Sequence, residues 1–160
     1  MAAVLLVAGC NYGFQGGGGF PSHLRTLYIE SFENHTAQFE LEQQLFTRLL
    51  DRVPRALGVR PAGREVADVV LRGRILRYDD VAQSYRLGEA GQAAQVLEHQ
   101  VQIAVAVELI DPKANLVLWE SQSLTGRGVY RPDSQPDLKA RTEAIEHLVQ
   151  QILDGAQSQW

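Results

Sequence analysis

A two-layer α+β sandwich is the fold class this sequence predicts, with two helices packed on one face of a four-stranded mixed sheet in the order β-α-β-β-β-α. Three observations predict it. Two segments, Leu41 to Val53 and Ile145 to Leu153, repeat apolar residues at helical spacing. Between them, Val69 to Ile75 and Leu97 to Leu109 alternate apolar and polar residues with a period of two. Each of these segments has one apolar face only, so the helices and the sheet can bury their stripes against each other while the far side of the sheet stays polar.

The elements follow in chain order. Leu24 to Glu30 is rich in strand-formers and opens the folded part. Asn34 to Thr36 offer capping side chains, and Leu41, Leu45, Phe46, Leu49, Leu50 and Val53 then share one helical face, with Pro54 expected to close the helix. In the next strand Val69, Leu71, Gly73 and Ile75 point one way while Arg72 and Arg74 point the other. Leu97, Val101, Ile103, Val105, Val107 and Leu109 line one face of the strand after it, and a one-residue slip would expose the entire row. Asp111 to Asn115 is a turn, and Leu116 to Thr125 returns as the fourth strand. The last helix is expected from Asp133-Ser134, with Pro136 in its first turn and Ile145, Leu148, Val149, Ile152 and Leu153 as its buried stripe. The first strand–helix–strand crossover should be parallel and right-handed, and the remaining strand pairs hairpins.

The 160 residues suit one domain, expected over residues 23–160. With 15 basic and 19 acidic residues and a net charge of −4, the chain lacks the cationic excess that nucleic acid requires. Its single cysteine excludes an internal disulfide and a zinc site built from several thiolates. That cysteine, Cys10, follows the apolar run Ala2 to Gly9, which is too short to span a bilayer but has the make-up of a secretory signal ending in small residues. Residues 1–9 are therefore expected to be a signal-peptide remnant, and residues 10–22 a glycine-rich tether that includes Gly16 to Gly19.

Little in the chain suggests catalysis or metal binding. None of the four histidines, His23, His35, His99 and His147, stands three or four residues from another. Asp79 and Asp80 are adjacent on an extended segment and point to opposite faces, which does not pair carboxylates for acid–base work. No nucleophile elbow or Cys–His arrangement is present. The topology instead suggests a basic tip: Arg86, Arg127 and Arg131 should gather at the end of the fold away from the tether, where guanidinium groups would suit an anionic ligand.

Val7-Ala8-Gly9-Cys10 resembles a bacterial lipobox, with Cys10 as the acylated residue. Together with Asn11-Tyr12-Gly13, the run Ile29 to Thr36, the run Ala67 to Ile75 and Leu118-Trp119-Glu120, it makes the chain similar to the lipopolysaccharide-assembly lipoprotein family, LptE. Asn11 departs from the glycine more usual after the cysteine. The resemblance implies a non-enzymatic lipoprotein on the periplasmic face of the outer membrane, with no cofactor beyond the lipid on Cys10. It implies as partners the large assembly barrel LptD, which such proteins plug and help to fold, and lipopolysaccharide, with Arg86 and, less closely, Arg131 at positions that meet the lipid. Two other classes share features with the chain: lipoprotein activators of peptidoglycan synthases, through the Phe32 to Thr36 turn, and auxiliary lipoproteins of lipid transporters.

Overall fold

The computed structural model describes residues 20–86, 95–132, 137–158 and 160. The elements are β1 (Thr26–Ile29), β2 (Glu33–Asn34), α1 (Glu40–Leu57), β3 (Arg60–Pro61), β4 (Val69–Arg86), β5 (Gln95–Asp111), β6 (Leu116–Tyr130) and α2 (Asp137–Gln157). The sheet runs β3-β1-β4-β5-β6, with β2 also paired to β4. The α+β class and the two helices are as the sequence predicts, but the sheet has six strands rather than four. The two extra strands, β2 and β3, are two residues each, too short to show any alternation. β1, β2 and β3 all pair in parallel, whereas β4, β5 and β6 form antiparallel hairpins.

One contiguous core lies between sheet and helices. From the sheet it takes Leu27, Ile29, Val69, Leu71, Ile75, Val101, Ile103, Val105, Val107 and Leu109. α1 adds Leu41, Leu45, Leu49, Val53 and Leu57, and α2 adds Ala140, Ala144, Ile145, Leu148, Val149, Ile152 and Leu153. The apolar faces read from the sequence are these faces, except that Leu50 is exposed and Phe46 and Leu97 are only half-buried. Pro54 does not end α1, which continues to Leu57. Gly58 closes it in the left-handed region at φ 69°, where its missing Cβ removes the steric penalty. Nor do Asn34 and Thr36 cap α1. Asn34 Oδ1 accepts from the backbone N–H and hydroxyl of Thr36, and Asn34 Nδ2 donates to Gln38 O, which builds the turn leading into the helix. The residues proposed to begin α2, Asp133 to Pro136, lie outside the described residues.

The helices are parallel neighbours. Arg141 of α2 bonds Glu40 at the start of α1, Arg48 and Arg52 both reach Glu146, and Gln157 Nε2 donates to Ala56 O near both C-termini. Both helix N-termini therefore share one end with the close of β4, the start of β5 and the close of β6. Phe20 and Trp160 meet at the opposite end, ring centroids 5.9 Å apart and nearly perpendicular. α2 lies very close to β6. A Cβ at Gly126 would strike the Ala144 carbonyl, and one at Gly128 the Ala140 carbonyl, so two glycines facing two alanines set the distance between layers.

Candidate functional site

β4, β5 and β6 run 18, 17 and 15 residues, well beyond an ordinary strand, and carry the sheet up to the hairpin end. Arg86 is the last residue of β4, its backbone paired with Gln95; its side chain and the hairpin glycines Gly88 and Gly91 lie outside the described residues. Arg131 directly follows β6, and its Nε and Nη2 both donate to Glu98 Oε1, at 3.1 and 3.0 Å. Along β5 Glu98 is three residues from Gln95, so the rungs of Arg86 and Arg131 are roughly 10 Å apart.

Arg127 is not in the loop after the fourth strand but inside it. That strand extends to Tyr130 rather than stopping near Thr125, and Arg127 pairs with Gln102. This lies seven residues from Gln95, roughly 24 Å down the sheet, so the three arginines do not converge. Arg127 is exposed on the helix-free face and makes no ion pair among the described residues. Cys10 lies outside the described residues.

The rest of the helix-free face is polar and mostly internally neutralised, apart from exposed Val81 and Val129 on either side of Gln100. Arg72 donates through Nε and Nη2 to Glu108 Oε2, Arg77 pairs with Asp79, and Arg64 bonds Glu30. Glu30, Arg64, Arg72 and Glu108 line a cleft of about 520 Å³ in which Arg74 is exposed and, among the described residues, unpaired.

A second polar cluster, on the helix side of the same end, is absent from the sequence reading. Its cause is a register shift between Ile75 and Arg77, which leaves Leu76 out of the ladder and turns Tyr78 and Asp80 toward α2. Tyr130 Oη donates to Asp80 Oδ2 at 2.7 Å, and His99 Nδ1 stands 2.8 Å from Asp80 Oδ1. Burial, with the Asp80 carboxylate beside it, pushes the Tyr130 phenol up to about 12, so it stays protonated at neutral pH. Arg141 lies over the Tyr78 ring, 5.8 Å from its centroid, and bonds Asp137 and Glu40. One signal for it was available: Arg141 stands four residues before Ile145, on the buried stripe of α2. The cluster ties β4, β5 and β6 to both helix starts. It presents no activated nucleophile, and among the described residues no group of His, Cys, Asp or Glu could hold a metal ion.

The profile of the lipopolysaccharide-assembly family LptE matches residues 24–155, from the residue before Arg25 to the last turns of α2. The chain belongs to the LptE family. The match spans β1 through most of α2 and thus includes both polar clusters and the hairpin end. Among curated proteins, no sequence matches the chain. Solved structures are similar in fold. The uncharacterised lipoprotein B of Nitrosomonas europaea superimposes with a TM-score of 0.53 at 14% identity, covering 89% of each chain. The hypothetical protein CT253 of Chlamydia trachomatis does so at 0.51 and 10% identity, covering 82% of this chain and 98% of that one. At such identities the likeness shows a shared fold alone. No helix among the described residues is long and apolar enough to cross a membrane.

Proposed function

We propose that this lipopolysaccharide-assembly lipoprotein is acylated on Cys10 and held at the periplasmic face of the outer membrane. There it plugs the assembly barrel LptD, assists its folding, and meets lipopolysaccharide with its hairpin end. The observation that carries the reading is the LptE match over residues 24–155, joined to a fold whose chain enters at one end and whose Arg86 and Arg131 stand at the other. A barrel lumen is polar, and the helix-free face, with its Arg72–Glu108 and Arg77–Asp79 pairs, offers a polar surface to such a wall. Arg127 and Arg74 on that face are cations left for the wall rather than for the lipid. The two other lipoprotein classes that the sequence brings to mind lack this support from the family match.

Glu98 governs how the tip would take a phosphorylated lipid. Arg131 is already held by Glu98, so a lipid phosphate must replace that carboxylate. The pair is largely solvent-exposed and therefore weak, which makes the exchange feasible. Titration of lipopolysaccharide into the purified chain tests this. Glu98→Gln frees Arg131 and should tighten binding, whereas Arg131→Glu and Arg86→Glu should each weaken it, by roughly tenfold for the loss of one charge-assisted contact. Affinity unchanged in all three variants would remove the tip from the account.

A further inference from the structure

The end of the fold opposite the hairpin carries apolar side chains that its core does not use. Val66 is 65% exposed, Leu116 57%, Val117 49% and Trp160 42%. Apolar surface costs free energy in water in proportion to its area, so these side chains gain from being covered, as do Phe39 and Leu138 at the helix starts of the other end.

Local contacts hold them at that end. Val66 O lies 3.4 Å from Thr26 Oγ1, at the start of β1. Leu116 and Val117 open β6 opposite Asp111 and Ile110, the last residues of β5. The β5–β6 turn folds back over the end face, where Lys113 Nζ donates to Asp68 Oδ1 at 2.6 Å. On the helix layer, the Trp160 indole donates to Ala156 O at 2.8 Å and meets the Phe20 ring edge-on.

Two features indicate what covers this end. The first is where the chain enters. Phe20, edge-on to Trp160, is ten residues from Cys10, and ten residues span at most about 36 Å. This end is therefore the part of the fold nearest to whatever surface holds Cys10. The second is charge. Lys113 pairs with Asp68, and Arg25, Arg55 and Arg60 at this end are matched in number by Glu65, Asp111 and Asp154. The end thus offers no net field to a strongly charged partner. An indole with branched aliphatic neighbours and balanced charge is the make-up of side chains that settle at the headgroup level of a bilayer.

We infer that this end is an interfacial docking surface for a phospholipid bilayer, with Trp160, Leu116, Val117 and Val66 seated among the headgroups. The inference rests on the anchoring of Cys10 proposed above. The lipid supplies attachment, and the apolar end supplies orientation, since a tether alone leaves the fold free to tumble. A barrel-free chain thus rests on the membrane by this end.

Because Cys10 is the single cysteine, the full chain can be coupled there to a maleimide phospholipid, which tests the surface whether or not the cell acylates it. In the Trp119→Phe chain, Trp160 is the one remaining tryptophan. In phosphatidylcholine vesicles with brominated acyl chains its emission should fall by about half relative to plain vesicles, as expected for an indole at headgroup depth. The Trp160→Phe chain, which reports on Trp119, should lose little. Phosphatidylglycerol vesicles should give the same quenching. If Trp119→Phe fails to fold, the difference in quenching between the native and Trp160→Phe chains gives the same reading. Trp160 emission unaffected by bromine overturns the docking surface, as does quenching confined to anionic vesicles. The anchor is tested separately, by the mass of the chain extracted from membranes: an unacylated Cys10 defeats the anchor reading and leaves the vesicle result to judge the surface.

Discussion

Asp68 accepts hydrogen bonds from the backbone N–H groups of Arg25 and Thr26, the Thr26 hydroxyl and the Lys113 ammonium. The Lys113 contact, with the Arg25 N–H next, holds its carboxyl well below the usual carboxylate range. A native value below the unfolded one means that the ionised form favours folding. That contribution is complete above the ordinary carboxylate value near about 4 and drains away as pH falls toward the depressed native value. Asp68→Asn should therefore lower Tm at pH 7, and the gap between variant and native protein should narrow as the solution is acidified below about pH 4. Thermal unfolding followed by circular dichroism across that range measures it; a gap that stays constant with pH contradicts the assignment. Nothing local in the sequence marks Asp68, because its donors come from β1 and the β5–β6 turn, elements brought to it only by folding. Arg131 is similar: as a residue it reads as a free cation, and only pairing across β5 and β6 gives it Glu98.

At the scale of elements, the contact between β6 and α2 makes the sharpest claim. Glycine is a weak strand residue, and replacing it in a strand with alanine would ordinarily help. At Gly128 the added methyl would meet the Ala140 backbone instead, and at Gly126 it would meet Ala144 and Leu148. Gly128→Ala should thus destabilise by roughly 1–3 kcal/mol through overpacking, with Gly126→Ala similar. Denaturant unfolding with an unchanged m-value is the check, and a neutral or stabilising result would mean the layers are further apart than described. The long apolar rows were legible in the sequence because their period is unambiguous: Val101 to Leu109 on β5, Leu41 to Val53 on α1 and Ile145 to Leu153 on α2 are the observed core. What failed to show has physical causes. β2 and β3 are too short to alternate. The irregularity at Leu76 reverses parity midway along β4, so the upper half of that strand cannot be read from its lower half. Pro54 reads as a stop, yet a proline costs the helix only its own bond to the carbonyl four residues back, and α1 runs on to end at Gly58.

For the whole molecule, one polarity organises everything else. Both helices start at the hairpin end, held by Arg141 to Glu40 and Asp137, and the chain termini described at the other end meet through Phe20 and Trp160. With Cys10 acylated as proposed, the fold presents one end to its anchor and the other away from it. The basic character expected of the far end is narrower than the sequence suggests, since Arg127 lies on the sheet face and Arg131 is held by a carboxylate. The family assignment was legible because its motifs lie on the end of β1, β2, β4 and β6, segments that build the sheet. The site was less so, because strand length, which sequence periodicity does not fix, decides which arginines reach the tip. The most direct measurement of the central claim is affinity purification of the full-length chain from detergent-solubilised outer membranes, followed by native mass spectrometry. The account predicts a complex of one copy with one large outer-membrane β-barrel. Recovery of the chain with only a peptidoglycan synthase or a transporter ATPase complex would contradict it.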